Sequence, residues 1–189
     1  RSKLMTEQIL IDYHKAYQLP VSILRYFNAA GADINGDIGE DHNPETHLIP
    51  LVLEALFNDE GCIKVNGNDY PTFDGTCIRD YVHVRDLAKA HVLALKKIIH
   101  DKSLSIYNLG NGKGYSIMEV INTAKTVTGK EIKILQSKRR EGDPPVLISS
   151  SEKAKRELSW KANFLDLESI IRTAWNWYLF KKKSSQIEY

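Results

Sequence analysis

The sequence predicts an α/β fold, in which short strands alternate with helices. Runs rich in β-branched and aromatic residues, such as Val21–Phe27, 63–67 and 105–109, alternate along the chain with longer runs of helical periodicity. The composition, with 26% charged and 42% hydrophobic residues, is typical of a globular chain rather than a disordered or membrane one. A length of 189 residues suits one domain with a sizeable core or half of a larger enzyme.

The first predicted elements are a helix over Ser2–Tyr17 and a strand over Val21–Phe27. The helix is predicted to be amphipathic because apolar residues recur mostly at three- and four-residue spacing, at Leu4, Met5, Ile9, Ile11 and Tyr13. The breaker Leu19–Pro20 precedes the strand, whose carboxyl end falls near Asn28. Ligands in open α/β sheets lie outside the carboxyl ends of strands, so we expect Tyr26 and Asn28 to border a polar ligand.

A polar loop is predicted over 33–45, with His42 and His47 beside it. These histidines make a metal ion conceivable, but their spacing matches no established ligand pattern, so we predict no metal site. A helix follows over 47–57. Pro50 lies in its first turn, where a missing N–H costs no hydrogen bond.

Two more strands are predicted over Ile63–Gly67 and Arg79–Val84, and the second leads into a helix over 85–99. The predicted buried stripe of this helix is Leu87, Ala90, His91, Ala94, Leu95 and Ile98. The planar guanidinium of Arg79 suits a diphosphate, because it can donate two parallel charge-assisted hydrogen bonds. His83 and His91 are expected to pack or to cap a helix.

A glycine-rich segment, Gly110–Gly114, follows a predicted strand over Ser105–Leu109 and precedes a helix. Such a segment can cradle a phosphate or form a tight turn. Its glycines lack the dinucleotide-binding spacing, and no acidic residue follows at the required distance, so a tight turn is favoured. Ser116 with Glu119 predicts a capping box for the next helix, which Gly129 ends.

The segment 139–145 is strongly polar and follows a predicted strand over 131–136. Arg140 can bind two oxygens of one phosphate, and Asp143 can accept hydrogen bonds from ribose hydroxyls. This combination predicts a compact site for a nucleotide.

The last two helices are predicted over 149–158 and 166–180, and the tail Lys181–Ser185 is interpreted as a frayed, solvated end. The net charge of +2 does not indicate a general nucleic-acid role, and no apolar run is long enough to cross a bilayer. Cys62 and Cys77 fit no C-x-x-C pattern, which favours unpaired thiols in a reducing compartment, the cytoplasm.

Several motifs, in order along the whole chain, resemble those of the UDP-glucose 4-epimerases, which are extended short-chain dehydrogenases of Rossmann type. They are Ser2-Lys3-Leu4-Met5, Leu24-Arg25-Tyr26-Phe27-Asn28, Gly67-Asn68-Asp69-Tyr70-Pro71-Thr72, Arg79-Asp80-Tyr81-Val82-His83-Val84, Ile106-Tyr107-Asn108-Leu109-Gly110 and Arg139-Arg140-Glu141-Gly142-Asp143. The resemblance implies that 1–189 is the C-terminal portion of such an enzyme. About 1–28 and parts of 78–110 would contribute to the nucleotide-binding sheet and its helices, and the remainder would mainly form a smaller mixed α/β domain for the UDP-sugar. The N-terminal NAD-binding part would lie outside this chain.

The resemblance also implies an NAD-dependent isomerase that interconverts UDP-galactose and UDP-glucose through a 4-keto sugar. Lys3 matches the lysine of the family's Tyr-x-x-x-Lys pair, which lowers the pKa of the tyrosine and holds the nicotinamide ribose. That tyrosine would lie upstream of Arg1, so this chain alone is expected to be inactive. Tyr26 would lie near the nicotinamide. The implied substrate-binding residues are Asn28, His47, Leu48, Lys64, Asn66, Arg79, Ile117, Arg140, Asp143 and Leu147.

The implied cofactor is NAD, and the implied partners are a UDP-hexose and a second subunit in a homodimer, with no nucleic acid or membrane. Leu147 matches the position beside the acyl end of the sugar, and its size leaves the use of N-acetylhexosamines open. Three alternatives remain. They are another nucleotide-sugar epimerase or dehydratase of the superfamily, a non-catalytic UDP-sugar-binding fragment, and a nucleic-acid binder acting through its basic tail.

Overall fold

The computed structural model describes residues 1–58 and 60–184. Its helices are α1 (Ser2–Tyr17), α2 (Leu48–Phe57), α3 (Val84–Asp101), α4 (Ile117–Thr128), α5 (Glu152–Leu158) and α6 (Leu167–Ser184). Its strands are β1 (Val21–Tyr26), β2 (Asn28–Ala30), β3 (Cys62–Asn66), β4 (Ile78–His83), β5 (Leu104–Leu109), β6 (Gly114–Ser116), β7 (Lys133–Ser137) and β8 (Val146–Leu147). None of the helices in the described part of the chain combines the length and apolar character needed to span a bilayer.

The strands pair mainly in parallel. β1 pairs with β5, from Val21 opposite Leu104 to Tyr26 opposite Leu109. β4 is the centre of a second sheet, where it pairs in parallel with β2 and β8 and antiparallel with β6. β3 and β7 form a third, parallel pair. Parallel strands need long crossover connections, which helices supply here, so the predicted α/β class is confirmed.

Two hydrophobic clusters fill the interior, and β4 contributes to both. The first cluster gathers side chains of α2, β3, α4 and α6, such as Ile170. The second gathers side chains of α3, β5 and α5, with Tyr107 and Trp160 fully buried. Tyr81 belongs to the first cluster and Val82 to the second, because successive strand residues point to opposite faces.

Predicted helix caps are confirmed. The Ser116 hydroxyl accepts from the Glu119 N–H at 3.0 Å, and the Glu119 carboxylate accepts from the Ser116 N–H at 2.8 Å. Gly129 ends α4 in the left-handed conformation, with φ 68°. His83 Nδ1 accepts from the Arg85 N–H at 3.1 Å at the start of α3, as expected of a capping residue.

α5 begins at Glu152 rather than at the predicted residue 149, because the serines before it are bonded elsewhere. The Ser149 hydroxyl donates to Asp80 Oδ2 at 2.8 Å. The Ser151 hydroxyl donates to the Gly110 carbonyl at 2.8 Å. These bonds hold the segment against the glycine-rich turn, so the helix starts only after it.

The predicted buried stripe of α3 is only partly confirmed. The apolar side chains that α3 buries are Leu87, Ala90 and Ala94, whereas His91 and Leu95 are exposed. The alanines allow α3 to approach the second cluster closely, so its buried face is narrower than the apolar pattern suggests.

The predicted amphipathic character of α1 is not matched by burial in the described part of the chain. No side chain of α1 is buried. The residues Leu4, Met5, Ile9 and Tyr13 are all more than half exposed. Glu7, which is partly buried, bonds to Arg25 of β1 and so attaches the helix to the sheet.

α6 continues to Ser184, so the predicted fraying is wrong for Lys181–Ser184, although Lys183 and Ser184 are exposed as predicted; Ser185 lies outside the described residues. Lysines in the last turn suit the negative end of the helix dipole. Lys181 Nζ donates to Asp41 Oδ1, and Lys182 Nζ lies 5.3 Å from the centre of the Tyr178 ring. These contacts stabilise the last turn of the helix.

Candidate functional site

A cavity of about 960 Å³ lies beside Tyr26–Gly31, where β1 ends and β2 runs. Its other walls come from the start of α2, from β3, from β4 and from the loop before β8. The predicted site residues that line it are Lys3, Tyr26, Asn28, His47, Leu48, Lys64, Asn66, Arg79, Ile117, Arg140 and Asp143. The structure therefore brings together residues that lie far apart in the sequence, while their roles toward ligands remain predictions.

Leu147 is not among the residues that line this cavity. It lies on β8 opposite Arg79 of β4 and is 44% exposed. Its predicted role beside the sugar stays a prediction, because the structure places it next to the site rather than in its wall.

An ion pair between Arg79 and Asp143 forms part of the cavity wall. Arg79 Nη2 donates to Asp143 Oδ1 at 2.5 Å, and the side chains are only 12% and 31% exposed. Arg79 Nη1 also donates to the Ile78 carbonyl at 2.8 Å. These bonds fix the plane of the guanidinium, so an anion entering the cavity would meet a donor that is already oriented.

The adjacent arginines Arg139 and Arg140 have different surroundings. Arg139 Nε donates to Asp69 Oδ1 at 2.6 Å, and its guanidinium lies 4.3 Å from the centre of the Tyr70 ring. Arg140 lines the cavity, where the Asn66 amide oxygen, oriented toward it, accepts from Arg140 Nε at 3.0 Å. Arg140 is thus the arginine of this pair that lies at the cavity, and its contact with a ligand stays a prediction.

Asn28 has one of its polar groups committed to the fold. Its Nδ2 donates to the Asp80 carbonyl at 2.8 Å, which ties β2 to β4 beyond their backbone ladder. The side-chain oxygen is left to accept a hydrogen bond at the cavity wall. Asn28 can therefore accept from a ligand hydroxyl.

Lys3 and Tyr26 lie at another side of the same cavity. Lys3 is in the first turn of α1, and α1 is held to β1 by the ion pair between Glu7 and Arg25, with Arg25 Nε 2.8 Å from Glu7 Oε1. The hydrogen bond from Arg25 lowers the pKa of Glu7. Tyr26 ends β1 beside the His91 ring, whose centre lies 6.2 Å away, and it is half-exposed, so part of its ring is accessible to a planar ligand.

Asp80 is an organising residue that the sequence analysis did not single out. It is fully buried, and its carboxylate accepts from the N–H groups of Asn111 at 2.9 Å, Gly112 at 3.0 Å and Ser149 at 3.1 Å. It also accepts from the Ser149 hydroxyl at 2.8 Å. The available signal was an acidic residue in the middle of a predicted strand, because a carboxylate is rarely buried without several donors.

The same contacts decide between the two interpretations of Gly110–Gly114. The amides of Asn111 and Gly112 are directed at the internal carboxylate of Asp80, so they are not free to hold a phosphate. A Cβ at Gly110 would lie 2.1 Å from Ser149 Oγ and 2.5 Å from Asp80 Oδ2. Glycine is therefore required there for close packing, and the predicted tight turn is supported.

His83 serves the fold rather than the cavity. It is fully buried, stacks on Phe164 with 3.8 Å between ring centres, and lies 3.0 Å from Thr173 Oγ1 through Nε2. Burial lowers the pKa of His83, because the charged imidazolium would lose its hydration. The ring therefore remains neutral near pH 7, which suits its Nδ1 to accept the capping bond from Arg85.

The loop before α2 concentrates charge at the edge of the cavity. Burial and the nearby carboxylate of Glu45 raise the pKa of Glu40. Burial opposes ionisation of Glu45 as well, yet its pKa is lowered because the N–H groups of His47 and Thr46 donate to it. Glu40 and His47 both line the cavity.

Comparisons with known proteins identify the family to which the chain belongs. Residues 1–110 match the model of the NAD dependent epimerase/dehydratase family. A UDP-glucose 4-epimerase of Lacticaseibacillus casei is 50% identical over 177 residues, which cover 94% of this chain and 54% of that protein. The chain thus spans about half the length of the curated relatives it matches.

Solved structures similar to this chain include UDP-glucose 4-epimerases as well. A UDP-glucose 4-epimerase from Brucella ovis in complex with NAD is 46% identical with a TM-score of 0.86, over 91% of this chain and 53% of that one. One from Bifidobacterium longum in complex with NAD⁺ and UDP is 40% identical with a TM-score of 0.89, over 96% of this chain and 54% of that one. The predicted Rossmann-type α/β fold is therefore confirmed, and the chain belongs to the NAD dependent epimerase/dehydratase family.

Proposed function

We propose that the complete gene product, meaning this chain with any polypeptide encoded beyond it, is a UDP-glucose 4-epimerase. It would interconvert UDP-galactose and UDP-glucose with bound NAD. The observation that carries this proposal is one cavity lined both by Lys3 and Tyr26, predicted for the cofactor, and by Arg79 and Arg140, predicted for the diphosphate. The names of relatives up to 50% identical support the same activity.

The chain would supply most of the UDP-sugar site. Arg79, Arg140 and Asp143 would bind the diphosphate and ribose, and Asn28 would accept from a ligand hydroxyl. Lys64, Asn66 and Ile117 would border the uridine, while His47 and Leu48 would contact the diphosphate or the sugar. The parallel pairing of β1 with β5 supports assigning about 1–28 and parts of 78–110 to the nucleotide-binding sheet.

The residues present fit one end of NAD. The Lys3 ammonium can donate to ribose hydroxyls, and the half-exposed Tyr26 ring can lie against the nicotinamide. The turn at Gly110–Gly114 does not fit the NAD pyrophosphate, because its amides bind Asp80. When bound, NAD supplies a hydride acceptor that later returns the hydride to the sugar. Lys3 would favour the phenolate of the family's tyrosine, which removes the C4 hydroxyl proton.

This division of the cavity has a physical reason. A 4-keto sugar that must turn over before the hydride returns cannot itself be held tightly. Binding free energy must then come from the remote UDP group, which does not react. The fixed guanidinium of Arg79 and the accessible one of Arg140 would provide that binding at a distance from the reacting carbon.

The first test compares Arg140→Ala with Arg139→Ala in the complete gene product. Arg140→Ala is expected to weaken UDP binding about tenfold, because a charge-assisted contact to phosphate is lost. Arg139→Ala should change the UDP affinity far less, since Arg139 is bonded to Asp69 instead. Calorimetric titration with UDP gives both affinities, and a coupled assay follows conversion of UDP-galactose to UDP-glucose.

The activity and the site assignment can fail separately in this experiment. Absence of UDP-galactose conversion by wild-type protein that contains NAD would contradict the epimerase proposal. Equal UDP affinities for the two arginine variants would contradict the placement of the diphosphate while leaving the activity untouched. NAD content, measured after denaturation, should stay unchanged in both variants.

We also propose that the complete gene product is a homodimer that works in the cytoplasm. Two exposed apolar stripes support an interface between subunits, one on α1 at Met5, Ile9 and Tyr13 and one on α3 at Val92, Leu95 and Ile99. Both cysteines are free thiols, as expected in a reducing compartment.

Sedimentation equilibrium should give twice the chain mass, and Leu95→Glu should shift the measured mass toward that of the monomer. A wild-type protein with a single-chain mass would rule the dimer out.

A further inference from the structure

We propose that the loop before α2 holds a divalent transition-metal ion, with Zn²⁺ as the best match, through Glu40, His42, Glu45 and His47. Each of these residues offers one ligand atom, and the four atoms all lie within 4.8 Å of one another. The spacing along the sequence gave no such indication, because the ligands lie on an irregular loop without a helical or strand period. The site is therefore visible only in three dimensions.

The distances within the cluster suit one small ion. His47 Nδ1 lies 2.7 Å from Glu40 Oε1 and 2.9 Å from Glu45 Oε1, and His42 Nδ1 lies 3.9 Å from Glu45 Oε1. Ligand atoms around a tetrahedral zinc ion with bonds of about 2.1 Å are about 3.4 Å apart. The observed separations lie on both sides of that value, so small side-chain rotations bring the four atoms to bonding distance.

The charges in the cluster also favour a cation. Two carboxylate oxygens converge on the single nitrogen His47 Nδ1, which carries at most one proton to share between them. A divalent ion at this point would neutralise both carboxylates and be bound by both imidazoles. Because the Glu45 side chain is only 16% exposed, neutralisation of its charge by an ion would stabilise the cluster more than it would at an open surface.

The donor set selects the class of metal. Imidazole nitrogen suits zinc, copper, iron and nickel, whereas magnesium and calcium prefer oxygen ligands alone. Two imidazoles with two carboxylates therefore favour Zn²⁺ over Mg²⁺ or Ca²⁺. The His42 and His47 rings lie with centres 5.4 Å apart, which leaves room for the ion between them.

The loop is held in shape by α6 and by its own backbone. The Trp177 indole N–H donates to the Glu40 carbonyl at 2.9 Å, and Lys181 contacts Asp41. A Cβ at Gly39 would lie 2.2 Å from the Trp177 ring, so only glycine lets the loop pack there. Glu45 is oriented by the His47 N–H at 2.7 Å. The ligands are thus largely positioned before an ion binds.

Binding of an ion would stiffen one wall of the cavity. His47 is the residue that precedes α2, and both it and Glu40 line the cavity. An ion that joins them would fix the start of α2 relative to the loop. Metal binding itself does not depend on the epimerase proposal, so it can be tested without measuring activity.

The test uses the complete gene product, treated with a chelator, dialysed and titrated calorimetrically with ZnCl₂. We expect one strong site per chain, which His42→Gln and Glu45→Gln should each weaken by about tenfold or more. His100→Gln serves as the matched control, because His100 is an exposed histidine on α3 whose side chain is 89% exposed. The affinity of the His100→Gln variant for Zn²⁺ should equal that of the wild type.

Two further measurements keep the result decisive. The thermal midpoint without metal checks that both ligand variants fold, and added ZnCl₂ should raise the midpoint of the wild type but not of the variants. CoCl₂ should give visible d–d absorption of the intensity expected for tetrahedral nitrogen and oxygen ligands. Weak binding of Zn²⁺ by the wild type, or equal binding by wild type, His42→Gln and Glu45→Gln, would overturn the proposal.

Discussion

Asp80→Ala is expected to lower the free energy of unfolding by about 4 kcal/mol. The substitution leaves the part-buried N–H groups of Asn111 and Gly112 and the buried N–H of Ser149 without their acceptor, and the Ser149 hydroxyl loses its acceptor as well. Each unsatisfied buried donor costs about 1–3 kcal/mol, and removal of a buried charge offsets part of the sum. Urea unfolding of the complete gene product measures the change.

Graded variants separate the effect of losing the hydrogen bonds to the Asp80 carboxylate from the effect of losing side-chain volume. Asp80→Asn keeps one acceptor oxygen but turns an NH₂ group toward backbone donors, so it should lose about half as much stability as Asp80→Ala. Asp12→Ala is the control, because Asp12 is 74% exposed on α1 and should change stability by less than about 0.5 kcal/mol. A loss below about 1 kcal/mol for Asp80→Ala would show that the glycine-rich turn does not depend on this carboxylate.

Arg79→Ala is expected to weaken UDP binding about a hundredfold, or about 3 kcal/mol. The reason is that Arg79 is mostly buried, is fixed by Asp143 and Ile78, and lines the cavity, so its loss also leaves the Asp143 carboxylate facing the ligand phosphates. Arg79→Lys keeps the charge but loses the planar pair of donors. Its UDP affinity should lie between those of wild type and Arg79→Ala, about tenfold weaker than wild type. Calorimetric titration with UDP provides the three affinities.

The control for this series is Arg156→Ala, since Arg156 lies on α5 and is 70% exposed. It should leave UDP affinity unchanged. If Arg79→Ala retains wild-type UDP affinity and an unchanged thermal midpoint, the diphosphate does not bind at this guanidinium. Asp143→Asn then distinguishes a ribose contact from a purely structural ion pair, because only the former should alter UDP affinity.

Periodicity and capping residues predict most of the fold, because these signals are local. Ser116, Glu119 and Gly129 mark the ends of α4 within a few residues of sequence, and the structure confirms all three contacts. The site residues are predicted by the order of motifs along the chain. The resemblance carried by that order assigns Arg79 and Arg140 to one ligand, which no local pattern could do, and the structure brings both to the wall of one cavity.

What the sequence does not predict depends on contacts between distant segments. The donors to Asp80 come from the turn after β5 and from the segment after β8. The sequence of β4 or of that turn alone therefore does not predict these hydrogen bonds. The exposure of Met5 and Ile9 on α1 is equally non-local, because burial depends on what packs against a helix and not only on its own pattern. The cluster at 40–47 likewise arises from loop geometry.

The alternation of roles along β4 limits how this strand can change during evolution. Consecutive residues serve separate purposes: Arg79 faces the cavity, Asp80 holds the turn, Tyr81 and Val82 enter different hydrophobic clusters, and His83 caps α3. A shift of one residue in register would exchange every one of these positions at once. A one-residue insertion or deletion within β4 is therefore expected to disrupt all of these roles together, whereas a single substitution would affect only one of them.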